Sequence, residues 1–568
     1  MAISSSREHL AEPYNAVVRD ASASIVRHQV VERLWSKDYR LWKPEPTEIT
    51  NRLGWLTLPE DMLAHVSALK TLAAEARKEG IRDVVLLGMG GSSLGPEVFR
   101  TSFGSKKGAP RLWVLDTTVP GWVRSVTKSI LPARTFFLVA SKSGGTIEVM
   151  SLFAHFWKLV AGTKGNRGGQ QFIAITDPGT GLETMAREHG FRKIFSNPPD
   201  IGGRYSVLSL FGLVPAALMG LDIPRLLGRA GKMADRCREG RSVEGNPGVY
   251  LGVAMGTLAK AGRDKVTILA SPPIDTFGLW AEQLIAESTG KETKGIVPVA
   301  QEPVLAPGMY GSDRVFVYLR LKGAKNETLD RHVEALARAG HPVLTFALRD
   351  PYDLGAEFFR WEYATAVAGH VLGIQPFDQP NVQESKDNTR RVLDGYQSTG
   401  RLPEAVVSTP AEAAAELAGH LHAGSYVAIL AYTTPSKPLE TAIRRLRKAL
   451  VQQHHVTTTF GYGPRYLHST GQLHKGGPAS GVFLELVDRM TPDLQIPAQT
   501  FSFGTLAKAQ ATGDLESLQA HGRPAIRVML GPTPAATVNA IVSRFGAPAA
   551  RPRRQTVPAK RSSSRRSR

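Results

Sequence analysis

The chain has almost no cysteine, with Cys237 as the single thiol among 568 residues. One thiol cannot build a disulfide framework or a thiolate metal cluster, so disulfide-rich secreted folds and zinc-cluster proteins are excluded. The first twenty residues carry charges where a secretory signal needs an apolar core. These features predict a protein of the reducing cytoplasm.

Long uncharged runs are also scarce. One candidate is the segment 205–221, which has 17 residues without a charge. A helix needs about 20 apolar residues to cross a bilayer, and Pro215 interrupts this run. The segment therefore predicts a buried core helix, and no membrane partner is expected.

Acidic residues are fewer than basic ones, which gives a formal net charge of +20. Eight Lys or Arg residues lie in the last 18 positions, which contain no acid. With little apolar surface to bury, residues 546–568 are predicted to form a disordered basic tail. Basic motifs interleaved with aromatic residues are missing, so no specific nucleic-acid partner is predicted.

Apolar blocks rich in Val, Leu, Ile and Phe alternate with segments of helical periodicity. This alternation is typical of parallel sheets covered by crossover helices, so the predicted fold class is α/β. Strand candidates begin at residues 83, 111, 135, 171 and 193, then at 265, 314 and 341, and finally at 426, 456, 482 and 525. The predicted units are a lead-in (1–49), a first domain (50–225), a second domain (226–400) and a smaller C-terminal α/β unit (405–545).

Two predicted strand-to-helix junctions of the first domain are rich in glycine and hydroxyl groups. They are GMGGSSLGP at 88–96 and SKSGGTIE at 141–148. Ligands of open parallel sheets bind beyond the carboxyl ends of the strands, where glycines, helix N-termini and hydroxyl groups can hold a phosphate. Neither loop has Walker spacing, so a phosphosugar fits better than a nucleotide. Plain strand–helix packing is the alternative for the first loop.

A third segment, AEQLIAESTGK, predicts a helix that ends at Gly290. Gln283 and Glu287 are four residues apart and share one face, whereas Glu282 points elsewhere. A glutamate at this helix end could act as a general base. The alternative is an exposed ion pair between Glu287 and Lys291.

Two further segments are ambiguous when taken alone. Arg204 lies in GGRYS, ahead of the buried apolar run, where it could stabilise an anionic intermediate or cap backbone carbonyls. The segment FDQPNVQESK predicts a turn followed by a helix that a proline opens. It places Lys386 seven residues after Gln379, although a lone lysine is usually solvated.

Together, the five segments resemble glucose-6-phosphate isomerases, a family of two sugar-isomerase (SIS) domains that are three-layer α/β/α sandwiches. The motifs GMGGSSLGP, SKSGGTIE, GGRYSVLS, QLIAESTGK and FDQPNVQESK follow the family order and cover roughly residues 50–395. The resemblance implies reversible isomerisation of glucose 6-phosphate and fructose 6-phosphate through an enediol, in glycolysis and gluconeogenesis. It implies a sugar-phosphate ligand, no cofactor, no metal and a homo-oligomer as one option.

The resemblance also implies roles for individual residues. Glu287 would transfer the proton, and Arg204 would stabilise the enediolate. Lys386 and Gln379 would close the pocket and assist ring opening. The residues implied in substrate binding are Gly91, Ser92, Ser141, Lys142, Ser143, Thr146, Gln283 and Gln379.

The histidine motif departs from the family order. The ring-opening histidine of the family lies between the glutamate and lysine motifs, but residues 292–376 contain no histidine in a matching context. A matching context, LHSTGQLHKGG, follows later and contains His468. We expect the C-terminal unit to fold back over the first two domains and insert His468 into their pocket. The alternatives are a surface histidine and a structural pair with His474.

This order is similar to the isomerase half of bacterial transaldolase/glucose-6-phosphate isomerase fusion proteins. Because no transaldolase-sized segment precedes the motifs, only the isomerase activity is expected. Two other functions stay open, namely a non-catalytic sugar-phosphate-binding regulatory protein and a dual phosphoglucose/phosphomannose isomerase. Glu287 and Arg204 favour an enzyme, because a sensor needs no carboxylate opposite a phosphate cradle.

Overall fold

The computed structural model describes residues 7–240 and 242–545. The predicted basic tail, residues 546–568, lies outside this range. The strands are β1 (Asp83–Gly88), β2 (Arg111–Leu115), β3 (Thr135–Ala140), β4 (Phe172–Thr176), β5 (Lys193–Ser196), β6 (Lys265–Ala270), β7 (Val297–Ala300), β8 (Arg314–Leu321), β9 (Val343–Leu348), β10 (Tyr426–Tyr432), β11 (Thr457–Tyr462), β12 (Gly481–Val487) and β13 (Ala525–Met529).

The strands form three sheets in which every pairing is parallel. Their orders are β2-β1-β3-β4-β5, β7-β6-β8-β9 and β11-β10-β12-β13. In each sheet the second strand in sequence forms an edge, and the chain then crosses to the other side of the first strand. The third sheet therefore repeats the order of the other two. The predicted α/β fold with parallel sheets is confirmed.

Helices surround the three sheets and connect their strands. Those before β6 are α1 (Tyr14–Arg27), α2 (Val30–Trp35), α3 (Leu58–Asp61), α4 (Val66–Lys78), α5 (Leu94–Phe103), α6 (Pro120–Ser129), α7 (Ile147–Lys164), α8 (Gly181–Glu188), α9 (Leu210–Leu218), α10 (Ile223–Glu239) and α11 (Pro247–Lys260). Those after β6 are α12 (Phe277–Thr289), α13 (Glu327–Arg338), α14 (Leu354–Leu372), α15 (Pro380–Thr399), α16 (Pro410–His420), α17 (Lys437–His454), α18 (Gly471–Gly476), α19 (Phe503–Ala520) and α20 (Pro534–Phe545).

Strand β7 is the one described strand without a counterpart in the sequence prediction. It has only four residues, and Pro298 lies inside it. Proline has no backbone N–H to donate to a ladder, so a proline in a run argues against a central strand. The structure places β7 at the sheet edge, where it pairs with β6 alone.

The uncharged segment 205–221 forms a shorter helix than the prediction allows. Tyr205 ends a 3-10 turn, and α9 begins only at Leu210, with Ser209 as its N-cap. All nine residues of α9 are buried, including Pro215. The helix is therefore part of the protein core. Within the described part of the chain, no helix is both long and apolar enough to span a membrane.

A buried ion pair joins the second sheet to the third. Both nitrogens at the end of the Arg314 guanidinium donate to Glu302, at 2.8 and 3.2 Å. The backbone N–H and hydroxyl of Thr458 in β11 donate to the same carboxylate, at 2.8 and 2.9 Å. Arg447 of α17 donates in turn to the carbonyls of Ala300 and Gln301. These contacts fix the third sheet against the second.

We expect Glu302→Ala to lower the free energy of unfolding by about 3 kcal/mol, because it leaves the Arg314 charge buried without its partner. Urea denaturation followed by fluorescence measures this change. Glu334→Ala is the control, because the Glu334–Arg338 pair is exposed and its N–O distance is 3.9 Å. The control should change stability by no more than about 0.5 kcal/mol. Equal urea midpoints for the two variants would contradict the assigned role of Glu302.

Candidate active site

The first glycine-rich loop lies between β1 and α5 and is tightly packed. A Cβ atom on Gly91 would lie 1.9 Å from the carbonyl oxygen of Gly203, in the GGRYS turn. A Cβ on Gly90, whose φ is +54°, would lie 2.5 Å from the carbonyl oxygen of His468. Ser92 ends this loop and is buried. The loop thus touches both the arginine turn and the histidine segment.

The second loop precedes α7 and presents hydroxyl groups to a cavity. The hydroxyls of Ser141 and Thr146 are hydrogen-bonded at 2.9 Å, and the Gly144 N–H donates to Ser141 at 3.2 Å. Ser143 and Thr146 line the cavity. The Lys142 ammonium instead contacts the Asp177 carboxylate and donates to the Pro199 carbonyl, so its side chain is outside the cavity lining.

Glu287 is buried near the end of α12, opposite Arg204. Arg204 Nη1 donates to Glu287 Oε2 at 3.2 Å, and both side chains are almost fully buried. Burial raises the pKa of Glu287, and the positive charge of Arg204 limits that rise. Gln283 donates to Glu287 at 3.3 Å and to the carbonyl of His468 at 2.8 Å. As expected, Gln283 and Glu287 share one helix face.

The alternative of an exposed Glu287–Lys291 ion pair is wrong. Lys291 is buried, and its ammonium donates to the carbonyls of Gln375 and Asp378 and contacts the Asp378 carboxylate. The helix ends before Lys291, so the spacing of four residues no longer places the two side chains together. Burial and the nearby Arg204 lower the pKa of Lys291 to about 7, despite the Asp378 carboxylate.

Arg204 also holds the start of the FDQP segment. Its Nη2 donates to the carbonyls of Pro376 and Asp378, at 3.0 and 2.7 Å, and its Nη1 donates to Gln379 Oε1 at 2.9 Å. The carbonyl-capping role predicted for Arg204 is therefore observed, and the same guanidinium pairs with the Glu287 carboxylate. The alternative role, stabilisation of an anionic intermediate, stays a prediction. The carbonyl contacts fix the orientation of the guanidinium.

His468 enters the site from the C-terminal α/β unit (405–545, the third unit), which contains the third sheet, and contacts Glu148. His468 Nε2 lies 2.8 Å from Glu148 Oε1, and Gln510 donates to the same oxygen at 2.7 Å. Glu148 is fully buried, which alone would raise its pKa, but the His468 imidazole holds that pKa below its usual value. His474 does not pair with His468 and is instead buried against Tyr426 and Phe483.

Glu148 belongs to the SKSGGTIE motif, yet no role was predicted for it. An acidic residue in the first turn of a helix is usually a partner of the helix dipole. Its contact with His468 spans 320 positions of the chain, so spacing alone carried no signal for it. The structure thus adds Glu148 and Gln510 to the site.

A cavity of about 280 Å³ opens beside His468 and Glu148, whereas Glu287, Arg204 and Gln283 are not among its lining residues. Its walls come from the second loop, from α15, and from the third unit. Its polar lining residues include Ser143, Thr146, Glu148, Lys386, His468 and Gln510. The volume is close to the lower end of the range typical of small-ligand sites, about 300–1,000 Å³. Lys386 is exposed in α15 and completes a basic and hydroxyl-rich lining.

Comparisons with known proteins identify the family. A family model for phosphoglucose isomerase matches residues 67–304. The glucose-6-phosphate isomerase of Rubrobacter xylanophilus is 31% identical over 394 residues, which cover 61% of this chain and 90% of that protein. The chain belongs to the phosphoglucose isomerase family. The isomerase of Carboxydothermus hydrogenoformans is similar at 29% identity over 401 residues, with 61% and 86% of the two chains covered.

Solved structures show the same fold. A hypothetical protein from Thermus thermophilus matches with a TM-score of 0.57 and 25% identity, covering 68% of this chain and 99% of that one. A glucose-6-phosphate isomerase from Chlamydia trachomatis also gives a TM-score of 0.57, at 17% identity and with 67% and 86% coverage. The family-matched residues include Arg204 and Glu287, whereas Gln379, Lys386 and His468 lie beyond them. The likeness to transaldolase fusion proteins stays a prediction.

We expect Gly91→Ala to separate the first loop from the GGRYS turn, because the new methyl group has no room beside the Gly203 carbonyl. Overpacking of this kind costs about 1–3 kcal/mol. Thermal denaturation should show a lower melting temperature. Gly181→Ala is the matched control, since a Cβ there meets nothing within 4 Å. A melting temperature for Gly91→Ala at or above that of the control would contradict the close packing.

Proposed function

We propose that this chain interconverts glucose 6-phosphate and fructose 6-phosphate, with the proton carried by Glu287. The observation that carries the proposal is the buried Glu287 carboxylate, paired with Arg204 and linked through Gln283 to the His468 segment. Names of family relatives state the same activity for those proteins. The arrangement supports acid–base chemistry beside a phosphate-sized cradle.

The hydroxyl-rich second loop is proposed to bind the phosphate group. Ser141, Ser143 and Thr146 offer hydroxyl donors at the start of α7, where backbone N–H groups also favour an anion. Lys386 adds a positive charge at the same cavity. Gly91 and Ser92, in the first loop, are buried and are not among the residues that line this cavity. A phosphate held there leaves the sugar to extend toward Glu287 and His468.

Proton transfer is proposed to take place between the substrate carbons and the Glu287 carboxylate, with the Arg204 guanidinium beside it. The Glu287 carboxylate takes the C2 proton of the aldose and later returns it to C1, while the enediol intermediate forms and collapses. Negative charge develops on the substrate oxygens, and the fixed Arg204 guanidinium stabilises it. The raised pKa of Glu287 brings its basicity closer to neutral pH, which suits a group that must both accept and release a proton.

Ring opening is proposed for His468, with Glu148 as its positioning residue. A pyranose opens when a proton reaches the ring oxygen and another leaves the C1 hydroxyl, and an imidazole can do both. The Glu148 carboxylate fixes one ring nitrogen of His468, so the imidazole orientation is set before substrate binds. Lys386 lines the cavity from α15, and Gln379, the residue before that helix, accepts a hydrogen bond from Arg204.

We further propose a cytoplasmic location, for which the single cysteine and the family relatives are the support. A homo-oligomer and activity on mannose 6-phosphate stay predictions. Hydrogen bonds join Arg204 to Glu287, Gln283 to Glu287 and to the His468 carbonyl, and His468 to Glu148, which supports the proposed site. A silent sensor would gain nothing from this buried acid–base set, so an enzyme is favoured over a regulatory protein.

We expect Glu287→Gln to lower kcat about 10²- to 10⁴-fold, because the amide keeps the shape of the side chain but cannot accept the proton. A coupled assay that starts from fructose 6-phosphate measures the rate, and calorimetry measures binding of the same ligand. Binding should persist in the variant. A variant that retains more than about a tenth of wild-type turnover, equal to about 1.4 kcal/mol of barrier, would refute the base assignment.

Glu362→Gln is the matched control for this experiment. Glu362 is equally buried, in α14, and both of its carboxylate oxygens lack a hydrogen-bond partner within the described residues. Burial raises the pKa of Glu362 well above its usual value, so an amide differs little from the protonated acid.

Wild-type protein that binds fructose 6-phosphate without converting it would instead identify a sugar-phosphate sensor.

We expect His468→Ala and Glu148→Gln to slow turnover of cyclic glucose 6-phosphate more than turnover of an open-chain analogue that cannot form a pyranose. The physical reason is that only ring opening needs the positioned imidazole. Rates for both substrates should be compared with those of His420→Ala, a histidine at the exposed end of α16. Equal losses on the two substrates would contradict the ring-opening role.

A further inference from the structure

A second cavity, of about 730 Å³, lies where the three sheets meet. Its walls are α5 of the first unit, α12 of the second, and α17 with the end of β11 from the third. It shares no lining residue with the catalytic cavity. The volume is within the range of small-ligand sites, about 300–1,000 Å³. The proposed isomerisation makes no use of this space.

Positive charge dominates the lining. Its cationic residues are Arg100, Lys437, Arg444, Arg447 and Arg465. Two of them are neutralised, because Arg100 pairs with Glu97 and Arg465 pairs with Asp116. Lys437 and Arg444, which are exposed at the mouth, form no ion pair with an acid among residues 7–240 and 242–545. Both side chains therefore present positive charge at the mouth of the cavity, on the face of α17 that also carries Glu440.

The remaining acids do not cancel this charge. Glu282 is the buried acid of the lining, and burial raises its pKa to about 7, so it carries only part of a negative charge near neutral pH. Glu440 is exposed on α17, three residues from Lys437 and four from Arg444, and offsets only one of their two charges. Arg447 donates only to neutral oxygens, namely the hydroxyl of Thr458 and backbone carbonyls, so its own charge remains. The cavity thus has a net positive field.

The cavity also occupies a ligand-binding position of the fold. It lies beyond the carboxyl ends of β10 and β11, on the face of α17 formed by Lys437, Glu440, Thr441 and Arg444. Ligands of parallel sheets bind at this edge, next to helix N-termini. The first sheet has the same strand order and holds the catalytic loops at the same edge.

One wall of the cavity is aromatic. Trp122 and Tyr462 meet edge to face, with ring centroids 5.6 Å apart, and Phe460 packs on Tyr462 at 4.8 Å. All three line the cavity. Aromatic faces bind the apolar side of a sugar or the face of a base. This wall suits a ring, and the cationic mouth suits a phosphate.

We propose that this cavity is a second ligand site, which binds a small phosphate ester that carries a ring, from either a sugar phosphate or a nucleotide. Occupancy changes catalysis, because the segment around His468 borders both cavities and because α12, which carries Glu287, lines this one. Ser469 and Thr470 line the second cavity and directly follow His468. Glu282 lines it and directly precedes Gln283, on the helix of Glu287. A ligand that fixes these elements changes the position of the groups proposed to react.

Binding is tested on the full chain by isothermal titration calorimetry, with AMP as the nucleotide probe and glucose 1-phosphate as the sugar probe. We expect at least one probe to bind, and Arg444→Glu to raise its Kd by at least about tenfold. Arg445→Glu is the matched control, because Arg445 is exposed next to Arg444 on α17 but lies outside the cavity. It should leave the affinity unchanged.

A steric variant makes the test independent of charge. Thr441→Trp places a large side chain in the mouth of the cavity and should weaken the same probe. Failure of both probes to bind, or equal affinity in wild type, Arg444→Glu and Thr441→Trp, overturns the proposal. Equal weakening by Arg444→Glu and Arg445→Glu also overturns it, since that result shows only a general surface charge. Binding does not depend on isomerase activity, so failure of the proposed function remains distinguishable.

Coupling is tested by the initial rate with fructose 6-phosphate. The bound probe should change KM or kcat of the wild type and of Arg445→Glu, but not of Arg444→Glu. A probe that binds at the cavity and leaves the rate unchanged overturns the regulatory half of the proposal. A probe effect that persists in Arg444→Glu shows competition at the catalytic cavity and overturns it as well.

Discussion

The buried ion pair between Arg204 and Glu287 is the contact on which the site depends. Arg204 comes from the end of the first unit and Glu287 from the second, so the pair joins the two at the point where substrate is proposed to react. A buried charge without its partner costs several kcal/mol, which disfavours any arrangement that separates them. The same guanidinium fixes the FDQP segment, and Gln283 extends the contact to His468.

The third unit acts on this pair through one short segment. Its sheet repeats the strand order of the first two, yet its chain supplies His468, Gln510 and the packing against Gly90. The loop that holds His468 is fixed on both sides, by Glu148 at the side chain and by Gln283 at the carbonyl. His468 lies later in the chain than the histidine motif of the family, yet it thereby contacts Gln283 and Glu148.

Two cavities at the carboxyl ends of parallel strands result from this docking. In the first sheet the edge carries hydroxyl-rich loops, and in the third it faces a cationic cavity with an aromatic wall. The two cavities lie on opposite sides of the segment 467–470, with Leu467 and His468 on one side and Ser469 and Thr470 on the other. A displacement of this short segment therefore alters both cavities at once.

The sequence predicted the α/β class, twelve of the strands, the two glycine-rich loops and the shared helix face of Gln283 and Glu287. Hydrophobic periodicity, turn residues and helical spacing are local properties of the chain, so they indicate these features without the tertiary structure. Strand β7 was not predicted, because a four-residue run with a proline has no local signature. Tertiary structure alone decided that Lys291 turns to Asp378, that Lys142 turns to Asp177 and that Glu148 meets His468. Burial and pairing of charges depend on which distant segments meet, and spacing along the chain does not encode that.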